Sequence, residues 1–332
     1  MAIGKPWLCL AAAGLLFSVP LIVTNTYILG ILIVVGLYAI ISEGLGLLMG
    51  FAGQVSFGQA AFYGLGAYTA AVLATRYHCP PFLCVLMAPL LPTLVAVVIG
   101  RPILRLREHY LALATLGFGI LTFSLFNELT GYTGGPSGLT GIPYLGIGPL
   151  VADNDREYYY IVWCVLALTL TATANLTRSP TGRAFRAIHA SEQAAEAIGI
   201  NTALLKLQAF GMSAFLAGLA GGLYSFWVTF VSPAPFGFTA SMEFALMAVL
   251  GGLGTIWGPV LGAAIIVGLT EFLRFAVPLI LPAAGGEFEI VFFGVIFVLI
   301  MLLRPQGILL PRMGRAENFR ASKPQRGAKC SL

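Results

Sequence analysis

The sequence predicts an all-α integral membrane protein of about ten transmembrane helices, with a short cytoplasmic helix between two of them. Of the 332 residues 58% are hydrophobic and only 9% charged, against roughly a quarter charged in ordinary soluble domains. Apolar runs recur along the whole chain, many close to the ~20 residues that a spanning helix needs. The runs are continuous rather than alternating, which favours helices over barrel strands, because a helix satisfies its own backbone in lipid.

In order, the runs fall at 7–23, 27–41, 57–75, 82–100, 110–127, 158–176, 207–230, 242–255, 257–281 and 288–303. The second and eighth are short for a crossing. The first, preceded by Lys5, is built like the apolar core of a signal peptide. It lacks a small-residue cleavage site and leads straight into another run, so it is expected to stay as a span. Cys9, Cys79, Cys84, Cys164 and Cys330 are odd in number and scattered, with no disulfide framework or metal-ligand spacing.

Orientation follows from the basic residues, since cytoplasmic loops carry the excess of Lys and Arg. Lys5 puts the N-terminus inside. Alternation from there puts Arg101, Arg105 and Arg107 inside, residues 178–206 inside and the glycine-rich stretch 127–158 outside. The basic tail 311–332, with Arg312, Arg315, Arg320, Lys323, Arg326 and Lys329, belongs inside as well, beside anionic lipid. With one interleaved aromatic, Phe319, it is a poor candidate for nucleic acid. Both termini on one side require an even number of spans. Residues 242–281 therefore break at the cluster Gly251 to Pro259, where either two spans meet or one segment re-enters, and parity favours two spans.

Residues 178–206 are the one long polar, helix-prone stretch. Ser179-Pro180 is a helix start, with Pro tolerated in the first turn. Residues 182–198 then carry six alanines, with Phe185 and Ile188 on one face and Arg183, Arg186, Glu192 and Glu196 supplying charge. Gly199 stops the helix, and Asn201 caps the next. Such a helix at the membrane surface either anchors a loop or inserts into a partner's groove. Ala194 and Ala195 would allow close approach.

Two glycine clusters stand out within the apolar runs. Gly53, Gln54, Ser56 and Gln59 lie in a polar, glycine-interrupted stretch that also holds Gly50, Gly58, Gly64 and Gly66; Gly251, Gly252 and Gly254 lie in the second. Broken helices of this kind expose backbone only where they line a cavity, while small residues also serve close helix packing. Both readings stand for both clusters. Glu43, Glu128, Glu243 and Glu271 are expected at or near helix ends, where a carboxylate reaches water, and Glu271 is spaced to pair with Arg274. His78, His109 and His189 lie in three different loops, so no metal site is expected. No Walker-type phosphate loop occurs, and no catalytic cluster is visible.

Several stretches carry a family resemblance. Gln193-Ala194-Ala195-Glu196-Ala197-Ile198-Gly199 is similar to the Glu-Ala-Ala-x-x-x-Gly loop of permease subunits in bacterial ATP-binding-cassette importers, with Gln193 in place of the Glu and Glu192 just before it. The stretch GLGLLMGFAGQVSFGQAAF, from Gly44 to Phe62, resembles the signature of branched-chain amino acid permeases. TGGPSGLTGIP from Thr133, LGGLGTIWGP from Leu250 and RPQG from Arg304 resemble the LivM-type subunit in particular. Together these span roughly residues 30 to 310.

The resemblance implies a single transmembrane permease domain, 1–310, in the bacterial inner membrane, with 178–206 as a cytoplasmic coupling segment. It implies coupling to ATPases through Glu192, Gln193, Ala194, Ala195, Glu196 and Gly199. Implied partners are a homologous LivH-like permease, two ATP-binding subunits that hold ATP and Mg, and a periplasmic substrate-binding protein; the stretch 127–158 either receives that protein, closes the outer gate or is a structural lid. No cofactor is expected in this chain, and no enzymatic activity. Branched-chain or other hydrophobic amino acids are the implied cargo; urea or short amides are the alternative, and a secondary carrier the weaker one, since no coupling-ion site is visible.

Overall fold

The computed structural model describes residues 25–280 except 105, 107, 148 and 149, together with the isolated positions 20, 294 and 308. Apart from those isolated positions, the expected spans 7–23 and 288–303 lie outside the described residues, as does the tail 311–332. Within the described residues six helices are long and apolar enough to cross a membrane: Thr26–Phe51, Pro81–Ile103, Tyr110–Glu128, Asp155–Arg178, Thr202–Val228 and Gly258–Ala276. Phe238–Gly251 is a shorter apolar helix. A buried helix, Gln59–Arg76, carries Gln59 and Arg76 at its ends.

Asn25 caps α1 (Thr26–Gly46) by accepting from the Tyr27 amide. The helix then widens into a π-turn over Leu47–Phe51. Its 26 residues reach ~39 Å at 1.5 Å per residue, so the span expected at 27–41 is long rather than short. Ser42, Glu43 and Gly44 interrupt the apolar run without interrupting the helix, and all three are buried. Residues 52–58 are not helical. α2 (Gln59–Arg76) follows. The run 82–100 divides into α3 (Pro81–Met87) and α4 (Leu90–Ile103) at Ala88 and Pro89. After α5 (Glu108–Glu128) comes the loop expected to turn on its glycines, and Gly134, Gly135, Gly138 and Gly141 all take positive φ there. The loop also forms α6 (Thr130–Thr133) and an antiparallel hairpin of β1 (Leu145–Ile147) with β2 (Leu150–Ala152), a small exception to an all-α architecture.

α7 (Asp155–Arg178) leads into α8 (Pro180–Ala190) and α9 (Glu192–Ala197), and α10 (Thr202–Val228) into α11 (Phe238–Gly251) and α12 (Gly258–Ile280). α10 is the central post, packing on α2, α4 and α1. It meets α2 backbone to backbone: a Cβ on Gly221 would collide with the Tyr63 carbonyl, and one on Gly66 with that of Gly218. Small residues permit such approach between membrane helices, where burial of apolar surface drives no association. α5 lies at the rim, with 22% of its apolar window buried against 67% of α1's.

The connections sort onto two ends. At one, Trp227 Nε1 donates to Asp155 at 3.0 Å, Leu139 pairs with Val231, Arg76 donates to the Gly131 carbonyl and Tyr27 donates to Glu271. Glu271 also pairs with Arg274 at 3.1 Å, as their spacing predicts. At the other end lie α8, α9, the π-turn of α1 and the α11–α12 break, where a Cβ on Gly46 would crowd Pro259. Gly100, next to Arg101, packs there on Leu207.

Candidate functional site

Two features could carry transport: an unwound segment inside the bundle, and the polar helix pair at its end. The unwound segment begins where α1 stops. Gln54 folds back to donate to the Ala52 carbonyl at 3.3 Å, and the Ser56 hydroxyl accepts from the Gly58 amide at 3.4 Å. These two buried polar side chains serve the local turns. Gly53 sits at φ +69, a conformation that glycine adopts without strain.

Gln59 reaches further. Its Nε2 lies 3.0 Å from both the Ser213 carbonyl and the Ser213 hydroxyl, and the hydroxyl lies 3.3 Å from Gln59 Oε1. Ser213 is eleven residues into α10, or ~17 Å from its start, so the junction lies near the middle of a helix about 40 Å long. Two more helices close on the same place. The Phe57 amide donates to Thr115 Oγ1 on α5 and the Ala60 amide to Ser241 Oγ on α11, both at 3.0 Å. The free amides at the start of α2 are thus satisfied by side chains in the interior. Phe57, Leu116, Gly119, Ile120, Gly237 and Ser241 border a crevice beside this junction that is too narrow in this conformation to hold water.

The second glycine cluster meets the first. A Cβ on Gly50 would collide with the Gly254 amide, one on Gly251 with the Gly258 carbonyl and one on Gly262 with the Met247 carbonyl. Gly252 and Gly254 take φ of +117 and +80. This cluster is the tight turn between α11 and α12, pressed against the end of α1.

The polar segment starts as expected. Ser179 accepts from the Gly182 amide, Asn201 accepts from the Leu204 amide, and Gly199 turns the chain at φ +83. Its single expected helix is two helices. Ser191, at φ −166 and ψ 116, breaks it and caps α9 by accepting from the Ala194 amide. α8 is seated by Phe185 and Ile188, both buried, and Arg186 donates to the Thr177 carbonyl at 2.9 Å.

Of the six coupling residues only Ala195 is buried, and two of the exposed ones are also tethered. Glu192 pairs with the buried Lys206 at 2.5 Å, Glu196 accepts from the Thr202 hydroxyl at 2.7 Å, and Ala195 is 2% exposed. These three hold α9 to the start of α10. Glu192, Gln193, Ala194, Glu196, Ala197 and Gly199 are exposed, with Ile198 74% exposed beside them. A bulky residue at Ala195 would therefore disturb packing before any contact with a partner.

Ile198, Lys206, Ser213 and Ser241 were not singled out by sequence reasoning, and His189, weighed only as a loop metal ligand, lies in α8. An exposed isoleucine in a polar segment was a visible signal; the others depend on partners distant in sequence. Glu43 was expected at or near a helix end, where a carboxylate reaches water; it lies in the last turn of α1 but is 2% exposed, and its Oε2 has no hydrogen-bond partner among the described residues. No group of three or more metal-ligating side chains occurs among the described residues.

The comparison with protein families decides what this arrangement belongs to. The model of the branched-chain amino acid transport system permease component matches residues 27–301. The chain belongs to that family. The permease is 32% identical over 296 residues to the high-affinity branched-chain amino acid transport system permease protein LivM of Salmonella typhimurium, covering 82% of this chain and 68% of that one. The LivM protein of Escherichia coli matches to the same extent. The LivH protein of Salmonella typhimurium is 26% identical over 287 residues, covering 82% of this chain and 91% of its own. No solved structure matches the permease. Family and apolar helices together make it a multi-pass membrane protein that acts as a transporter subunit.

Proposed function

We propose that the chain is a permease subunit of an ATP-binding-cassette importer for branched-chain amino acids. It forms the path with a homologous LivH-like permease in the bacterial inner membrane. Two separate ATP-binding subunits, which hold ATP and Mg, drive it, and a periplasmic binding protein delivers cargo to the loop 129–147. Both termini and residues 178–206 are cytoplasmic, as the basic residues argue. The permease domain covers residues 1–310 and the tail 311–332 is a separate basic end.

The observation that carries the coupling is α9 itself. A six-residue helix held by two carboxylates and a buried alanine presents Gln193, Ala194, Ala197 and an exposed Ile198 to water. That is an apolar knob on a firmly seated base, suited to a partner's groove. Glu192, Ala195 and Glu196 support the knob, and Gly199 turns the chain away from it.

The unwound stretch from Gly53 through Gln54, Ser56 and Gln59 gives the path its movable wall, and Gly251, Gly252 and Gly254 brace it. Alternating access opens the narrow cleft at Phe57, Gly119 and Ser241 in one state.

The test is reconstitution of the chain with its partner subunits in vesicles, followed by uptake of labelled leucine, isoleucine and valine, with urea and short amides alongside. Uptake of the three amino acids that needs ATP hydrolysis supports the reading. Uptake driven by an ion gradient without ATP would contradict it. A relative named for autoinducer 2 import, the LsrC permease of Salmonella paratyphi B, is 29% identical over 181 residues, so autoinducer 2 completes the panel.

A further inference from the structure

We infer that His189 is the positioning residue through which the α8–α9 pair moves the unwound segment 52–58 and, with it, the Gln59 junction; the inference rests on the permease reading above. A helix end leaves its last carbonyls without intrahelical partners. At the end of α1 two of them are taken locally, Leu47 by the Ala52 amide at 3.2 Å and Leu48 by the Gln54 amide at 3.0 Å. The Gly50 carbonyl is taken from outside the helix. His189 Nδ1 lies 2.9 Å from it, and because a carbonyl only accepts, Nδ1 carries the proton in this contact.

Histidine is a known partner for the last carbonyls of a helix, but here it comes from another element. The same residue covers the first left-handed position of the unwound segment. A Cβ built on Gly53 would lie 3.3 Å from the His189 ring and 3.4 Å from its Cα. On its other side the π-turn meets Gly254 backbone to backbone. The turn is thus clasped between the cytoplasmic helix pair and the α11–α12 break.

The mechanics follow from unequal stiffness. α8 is seated by Phe185, Ile188 and Arg186. Residues 52–58 have no ladder of backbone hydrogen bonds: the Ala52 and Gln54 amides bond back to α1, the Phe57 amide bonds Thr115, and Gln54 and Ser56 make short side-chain turns. Elements with few such bonds open and shift most readily. A push on α8 reaches the Gly50 carbonyl through one ring, and 52–58 is the only stretch between that point and Gln59. π-turns inside helices are frequent at functional sites for a related reason: they leave backbone groups open to such contacts.

The test uses the chain assembled with its partner subunits in vesicles and reads labelled leucine moved per ATP hydrolysed. Loss of folded protein lowers both quantities and leaves this ratio unchanged, so a purely structural role does not move it. Asparagine places an amide nitrogen near the position of the ring Nδ1, whereas glutamine places one near Nε2, and both resemble histidine in size and polarity. His189→Asn is expected to keep the ratio within about twofold, while His189→Gln and His189→Ala lose roughly two- to tenfold, the range one ordinary hydrogen bond supports. Equal ratios for the asparagine and glutamine variants, or an unchanged ratio for His189→Ala at normal assembly, overturn the inference. If His189→Ala fails to assemble, the asparagine–glutamine pair decides alone. A wild-type assembly whose uptake uses no ATP overturns the permease reading and this inference with it. That failure shows in the wild type, not as a difference among His189 variants.

Discussion

The ion pair that seats α9 allows a worked prediction. Lys206 keeps 7% of its side chain exposed and Glu192 keeps 47%, with 2.5 Å between Nζ and Oε1. Breaking a fully buried pair by removing one partner costs about 3–5 kcal/mol, and an exposed pair contributes under about 1 kcal/mol. With the lysine buried and the carboxylate half in water, Glu192→Gln is expected to cost about 1–2 kcal/mol, between those limits. A detachable six-residue helix should show that cost as easier local opening. At 1.4 kcal/mol per tenfold, the opening ratio of α9 rises roughly 5- to 30-fold. Amide hydrogen exchange over residues 194–199, measured in detergent or nanodiscs, should accelerate by that factor, with α10 unchanged beyond its first turn. Lys206→Met removes the buried charge itself, so the double variant should exchange more slowly than Glu192→Gln alone. Unchanged exchange in Glu192→Gln, or simple additivity of the two substitutions, would refute the tether.

Phe185→Ala empties a fully buried site beneath α8 and is expected to cost about 3–5 kcal/mol, read as a lower melting temperature of the purified protein and loss of ATP-driven uptake. Gly221→Ala forces α2 and α10 apart at the Tyr63 carbonyl, for about 1–3 kcal/mol of overpacking. Gly268→Ala, with open space around it in α12, should change stability by no more than about 1 kcal/mol in either direction, so the contrast between the two isolates contact from helix propensity. Ser241→Ala leaves the buried Ala60 amide unpaired at about 1–3 kcal/mol; thermal melts should register the loss, and leucine uptake should fall with it.

What was legible in the sequence is what local chemistry dictates. Ser179-Pro180, Gly199 and Asn201 end their helices as their side chains and backbone freedom require. The glycines of 134–141 turn the loop that follows α5. The extent of α1 was hidden because Ser42, Glu43 and Gly44 look like the close of an apolar run, whereas tertiary packing buries all three. Ser191 was read as one polar residue in a long alanine-rich helix. Its hydroxyl instead competes for the Ala194 amide and starts a new helix.

The candidate site was legible by composition and not by partner. Glycine and glutamine marked the unwound segment, but Gln59 finds Ser213 at a separation of 154 residues and His189 finds Gly50 at 139. Nothing local encodes either pair. The two glycine clusters lie far apart in the sequence, yet their backbones touch at Gly50 and Gly254. The resemblance implied Glu192 and Glu196 as coupling residues, and each, while exposed, also ties α9 to the start of α10.

The central claim is that the chain is driven through α9. A photo-crosslinking amino acid placed at Ile198, in the chain assembled with its partner subunits, tests it most directly. The account predicts an ATP-binding subunit as the main crosslinked product, with the yield changing when ATP is added. Crosslinks to lipid or to the permease itself alone, in an assembly that still takes up leucine on ATP, would contradict it.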